Sequence, residues 1–182
     1  MNTIDIIESR SSIRAYTDEK LTREELDILK RAALATPTAM NRQSQRYYFI
    51  TNKEFISEWE QKVAEVIAQT GTPEFRQRMA ERKNKVFYNA PLFVAVFIDA
   101  NGHFSMADAG IACENLAICA KSIGLDSVIL GMPQRAFEIP NNIKEKLGAD
   151  DNLSFGLGIA IGHRAMDKEP HESDDSHVIF YE

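Results

Sequence analysis

The sequence predicts one α/β or α+β domain built around a central sheet, and three observations carry that expectation. The run Leu92 to Ile98 is nearly all apolar, as a strand is when both of its faces are covered. A helical segment from about Ser105 to Ser122, rich in Ala, Gly and Cys, follows it and suits close backbone packing. Strand and helix patterns alternate along 182 residues with no repeat and no linker of domain-separating length, an order and a size that fit one core.

Each element has its own signal. Residues 2–9 read as a short helix with Ile4, Ile6 and Ile7 on its apolar side. Thr22 and Glu25 form a reciprocal capping pattern that starts the next helix. Leu26, Leu29 and Ala33, with Leu34 at the margin, mark its buried stripe, and Pro37 ends it. Tyr47 to Thr51 reads as a strand. From Lys53 to about Gln69, Phe55, Ile56, Trp59, Val63 and Val66 fall at helical spacing. Gly71-Thr72-Pro73 breaks that helix, and a charged one follows to about Asn84. Gly124 stops the small-residue helix. Ser127 to Leu130 is a second buried strand, residues near 140–147 a short helix, and Leu153 to Ile161 the last core strand. The tail from Ala165 is charged and contains Pro170, but ends in the apolar run Val178-Ile179-Phe180-Tyr181.

Composition excludes several classes of function. A net charge of −6 opposes general nucleic-acid binding, which needs a basic face to displace counterions. No run of about 18 apolar residues predicts a membrane span, and Met1 to Glu8 lack the pattern of a signal peptide. Cys113 and Cys119 fall on one predicted helix and point roughly 120° apart, so a disulfide is not expected and a reducing cytoplasm is the expected compartment. Asn152-Leu153-Ser154 is then a chance glycosylation match. Cys113 reads as a small core residue, since no Lys, Arg or His shares its face. His163, His171 and His177 lie near Asp174 and Asp175 but lack a compact ligand spacing, so no metal site is expected. Gly156, Gly158 and Gly162 run through an apolar strand, which suits close packing and not a dinucleotide fingerprint.

Two segments carry chemistry. Arg10-Ser11-Ser12-Ile13-Arg14 groups two guanidiniums and two hydroxyls, a set that suits a phosphate. The same residues also suit a solvated helix end. Thr36-Pro37-Thr38-Ala39-Met40-Asn41-Arg42-Gln43 is a polar, proline-stiffened loop able to bond a heterocycle or polyol. Asn41 and Gln43 equally suit satisfying the loop's own backbone.

Taken in order, the motifs resemble the nitroreductase family. The first segment is similar to its Arg-Arg-Ser-x-Arg motif, and Pro37 to Gln45 to its Pro-Ser/Thr-Ala-x-Asn-x-Gln-Pro-Trp segment. Phe87-Tyr88-Asn89-Ala90-Pro91, Asp108-Ala109-Gly110 through Glu114-Asn115-Leu116 with Gly124-Leu125, and Gly156-x-Gly158 with Gly162-His163-Arg164 extend the likeness over nearly the whole chain. Three departures stand out: Ser11 replaces the second Arg, Ser44-Gln45 replaces Pro-Trp, and the tail lacks a Lys/Arg pair.

The resemblance implies an α+β single-domain fold with a mostly antiparallel central sheet flanked by helices. It also implies an intertwined homodimer in which residues 165–182 form an arm that adds a strand to the partner's sheet. FMN would be held between subunits. Arg10, Ser11, Ser12 and Arg14 would hold the phosphate and the polar side of the flavin. Pro37, Thr38, Ala39, Asn41 and Gln43 of the other subunit would line it, and the backbone of Leu130 and Gly131 would approach its reactive nitrogen. Arg164 and Lys168 are the alternatives for the missing phosphate cation. Phe55, Trp59, Phe75 and Phe87 suit ordinary core, and the resemblance gives residues 55–85 a second role, as the variable wall of the substrate pocket. No side chain stands out as an obligatory acid or base. The implied activity is hydride transfer from NADH or NADPH through flavin to a nitroaromatic or quinone, with ping-pong kinetics. Alternatives on the same fold are dehalogenation, dehydrogenation and flavin storage; from another class, a cofactor-free dimeric binding module.

Overall fold

A computed structural model describes residues 2–182. Four strands form one antiparallel sheet in the order β1-β2-β4-β3: β1 Arg46–Ile50, β2 Leu92–Asp99, β3 Asp126–Leu130 and β4 Leu153–Gly162. Among the described residues six α-helices surround it: α1 Thr3–Ser9, α2 Arg23–Leu34, α3 Lys53–Thr70, α4 Pro73–Glu81, α5 Ser105–Ser122 and α6 Ile143–Leu147. The α+β fold and the antiparallel sheet are as expected.

Central β2 separates two cores by strict alternation. Phe93, Ala95 and Phe97 enter the layer under α3, while Leu92, Val94, Val96 and Ile98 enter the layer under α2 and α5. The β2–β4 register slips between Val96 and Phe97, so Gly156 of β4 lacks an opposite residue. That bulge restores the alternation, with Leu153 and Phe155 before it and Ala160 beyond it all on the first face. The β4 glycines do pack closely: a Cβ on Gly158 would lie 2.3 Å from Phe93 Cζ, and one on Gly162 2.6 Å from Pro91 Cδ.

Local departures have local causes. Strand β1 begins and ends one residue earlier than the sequence suggests; its end is set by Asn52, which caps α3 by accepting the Phe55 N–H at 2.9 Å. Helix α4 stops at Glu81 and not near Asn84, since Lys83 and Asn84 adopt left-handed φ of 54° and 56°. Leu34 is exposed, so the buried stripe of α2 reduces to Leu29 and Ala33, with Leu26 half-buried. A 3-10 turn over Met132–Glu138 carries no sequence signal that marked it; its Pro133 carbonyl accepts the buried Trp59 indole N–H at 2.9 Å. Trp59 and Phe87 are fully buried core, whereas Phe55 and Phe75 lie at its margin. Among the described residues no helix is long and apolar enough to cross a membrane.

Candidate functional site

The first chemical segment is laid along β3. Fully buried Ile13 anchors it, and the Ile13 N–H donates to the Ser127 carbonyl at 3.0 Å beside a parallel bridge from Ser12 to Ser127. The Tyr16 hydroxyl is shared between the Ile13 and Ala160 carbonyls at 2.9 and 3.1 Å. Burial foremost, then the charge of Asp126, push that phenol well above its ordinary range. With Ile13 turned inward, Arg14 is turned out to solvent.

Cations gather around this segment. Arg14 Nη1 lies 3.4 Å and Lys168 Nζ 3.5 Å from the Ser12 carbonyl. The Ser11 hydroxyl donates to the Lys168 carbonyl at 3.0 Å and ties the start of the tail down. Arg10 faces Glu114 of α5 at 3.4 Å. Arg164 is already engaged: its Nε and Nη2 hold the buried Asp126 carboxylate at 2.8 and 2.9 Å, and Lys121 joins at 3.1 Å. Burial alone would raise the Asp126 pKa, but those hydrogen bonds and charges outweigh it and hold the carboxyl below its ordinary value.

The second segment is held by side chains. Pro37 leads into a turn in which Met40, Asn41 and Gln43 have φ of 53°, 51° and 48°, a region that non-glycine residues seldom adopt. The Gln43 amide nitrogen reaches the Thr36 carbonyl at 3.3 Å and the Thr38 hydroxyl and Asn41 Oδ1 at 3.2 Å, while the Gln43 N–H donates to Thr38 Oγ1 at 3.0 Å. The Ala39 N–H donates to Asp108 of α5 at 2.9 Å.

Beyond β3, Leu130 and Gly131 turn into the 3-10 segment. Gly131 has an ordinary φ of −93°, and a Cβ there would meet only Leu157 Cδ2, at 3.7 Å. Among the described residues nothing demands glycine at that point. A cavity of about 380 Å³ is lined by Arg14, Tyr16, Arg82, Lys85, Tyr88 and Met166, among others. Arg82, Lys85 and Tyr88 were not singled out as site residues from the sequence. They reach the cavity through a loop with left-handed turns at Lys83, Asn84, Tyr88 and Asn89, held by Glu60, which accepts the Val86 and Phe87 N–H groups at 2.6 and 3.1 Å. No local pattern announces that path.

Among the described residues no group of three or more His, Cys, Asp or Glu is placed to hold a metal. Both cysteines are free, and the Cys113 thiol is pushed up to about 12, by burial first and Glu114 second.

Comparison with known proteins extends this picture. The chain is similar to a nitroreductase with bound FMN from Desulfitobacterium hafniense DCB-2, at 30% identity over all of both chains and a TM-score of 0.94. A nitroreductase with bound FMN from Bacteroides fragilis NCTC 9343 shares the fold at a TM-score of 0.92 and 19% identity, again over all of both chains. The FMN reductase (NADPH) of Bacillus subtilis strain 168 is 27% identical over 90% of this chain and 66% of its own. The family model described as "Nitroreductase family" matches residues 7–163, and the chain belongs to that family.

Proposed function

We propose that the chain is an FMN-dependent oxidoreductase that takes reducing equivalents from NADH or NADPH and delivers them to a small organic acceptor, a nitroaromatic or a quinone. The observation that carries the reading is the convergence of Arg14 and Lys168 on the Ser12 carbonyl, one residue on from Ser11 and two from Arg10, in a chain of net charge −6. Gly131 adds to it: a glycine unneeded by its own chain suits a position where an outside ring meets the backbone. When bound, FMN supplies the hydride-accepting and hydride-donating chemistry.

The residues divide that work. Arg10 and Ser12 bind the phosphate, and Ser11 acts through its bond to the tail. Of the two alternative cations, Lys168 is the better placed, because Arg164 is spent on Asp126. Arg14, with Arg82 and Lys85 on the same cavity, offsets negative charge on the cofactor's pyrimidine edge. The backbone of Leu130 and Gly131 would approach the reactive nitrogen, and Pro37, Thr38, Ala39, Asn41 and Gln43 would be supplied by the second subunit. Both substrates use one pocket in turn, which gives ping-pong kinetics. The deciding experiment is an absorbance spectrum of purified protein with added FMN, then NADH or NADPH without oxygen. Flavin bands that bleach support the reading, and a protein that retains no flavin refutes it. Arg14→Ala should lower both flavin retention and turnover.

The same reading makes the protein a homodimer. Val178 to Tyr181 are 63% to 101% exposed, an unsuitable end for a free monomer. Edge strand β1 and helix α2 border an open groove of about 690 Å³ that includes Leu26, Ala33, Leu34, Tyr47 and Phe49. The partner's tail is its proposed occupant, pairing with the free edge. Deleting residues 170–182 should yield monomer or insoluble protein; a well-behaved dimer would refute the exchange.

A further inference from the structure

The loop Thr36–Gln43 stands on two side chains of α5. Asp108 and Asn115 are two turns apart and therefore share a helix face. The Asn115 amide donates to the Ala32 carbonyl at 2.7 Å and approaches the Thr36 hydroxyl at 3.3 Å, which fixes the end of α2. Asp108, only 8% exposed, accepts the Ala39 N–H at 2.9 Å, which fixes the start of the turn. Between these pins lie Pro37 and Thr38; directly after them come the left-handed Met40 and Asn41. Left-handed φ in side-chain-bearing residues is disfavoured and persists where surrounding contacts over-determine it. A carboxylate on a backbone N–H is among the stronger hydrogen bonds available for that.

We propose that Asp108 is a positioning residue: it presets the Thr38–Gln43 turn in the ligand-free protein, so that the flavin meets a loop already shaped for it. This rests on the cofactor reading above. Preordering removes from binding the entropy of arranging the loop. A plainer role is also available to Asp108, since it sits in the first turn of α5, where negative charge favours the helix end. The two roles separate chemically. Asparagine keeps an oxygen for the Ala39 N–H but loses the charge, whereas alanine loses both.

The test compares wild type, Asp108→Asn and Asp108→Ala by amide exchange of Ala39 to Gln43 without ligand, and by FMN titration. Expected are slow Ala39 exchange in wild type, faster exchange in Asp108→Ala, and an FMN Kd raised about tenfold there. Asp108→Asn should recover most of both. Fast Ala39 exchange in wild type overturns the proposal without any variant, which matters if Asp108→Ala does not fold. Equal losses in the two variants overturn it in favour of the helix-end role. Unchanged FMN affinity in Asp108→Ala also overturns it, while the cofactor reading stands. If wild type binds no FMN, the cofactor reading itself fails.

Discussion

The two faces of the sheet are closed in different ways. Under α3, Trp59 meets Phe55, Phe87, Phe93, Phe137 and Phe155 edge-to-face, with ring centroids 5.5 to 6.1 Å apart. That core is filled by rings and needs no one else. Under α5 the core is built from Ala109, Ala112, Cys113, Ala117 and Ala120 against aliphatic strand residues. There the backbones come close, and polar fasteners do what rings do on the other face: Asp108, Asn115, and the Asp126 cluster with Lys121 and Arg164. The outer side of α5 still carries exposed Met106 and Ile111, with Phe104 just before it. The ring-filled face is closed by its own side chains, whereas the alanine face keeps exposed apolar residues on the outside of α5.

Breaking the aromatic face should have the largest effect. Trp59→Ala removes the hub of the ring cluster and strands the Pro133 carbonyl, at a cost of about 3–5 kcal/mol. Urea unfolding checks it; a loss below about 1 kcal/mol would mean that the rings are not what closes this face.

The polar fasteners give the second test. The Asp126 pKa is lowered in the folded protein, so its contribution is full above the unfolded-state value of about 3.9 and fades as pH falls through the lower folded value. Acid should therefore loosen the α5 side before the ring-filled side, as read by amide exchange in β3 and α5 against α3. Removing the charge by Asp126→Asn should cost about 2 kcal/mol, below the usual figure for a buried pair because Arg164 is partly exposed. If both faces open together as pH falls, the polar fasteners are not what distinguishes them.

Much of the fold was legible for physical reasons. The apolar run of β2, the capping box of α2 and the small-residue pattern of α5 are local signals that tertiary structure had only to accept. The chemical segments were legible as groups of residue types. Their wiring was not, because it depends on distant partners: Ser11 on Lys168, Ala39 on Asp108, Arg164 on Asp126. The left-handed turns that carry Arg82, Lys85 and Tyr88 to the cavity contain no glycine; Asn84 and Asn89 are their only sequence marks, and Lys83 and Tyr88 beside them give none.

Gly158→Ala probes the ring-filled face more gently. Its Cβ would strike fully buried Phe93 and stand 3.1 Å from the Val94 carbonyl, so a cost of about 1–2 kcal/mol is expected. A neutral result would mean that Phe93 has room to move, and that this core is less tightly filled than the ring geometry indicates.

Gly110→Ala is the smallest change and asks the sharpest question of the other face. The residue lies in the middle of α5, where glycine is disfavoured against alanine by about 0.5–1 kcal/mol. Among the described residues, and apart from the helix's own backbone, nothing lies within 4 Å of the Cβ that alanine would add. A monomer should therefore be stabilised by about that amount. If a second chain closes the α5 face, the same methyl enters the space its backbone needs, and the gain turns into weaker dimerisation. Sedimentation equilibrium of wild type and Gly110→Ala decides between them. A shift toward monomer is the expected outcome, and a dimer as strong as wild type would place the partner elsewhere on the molecule.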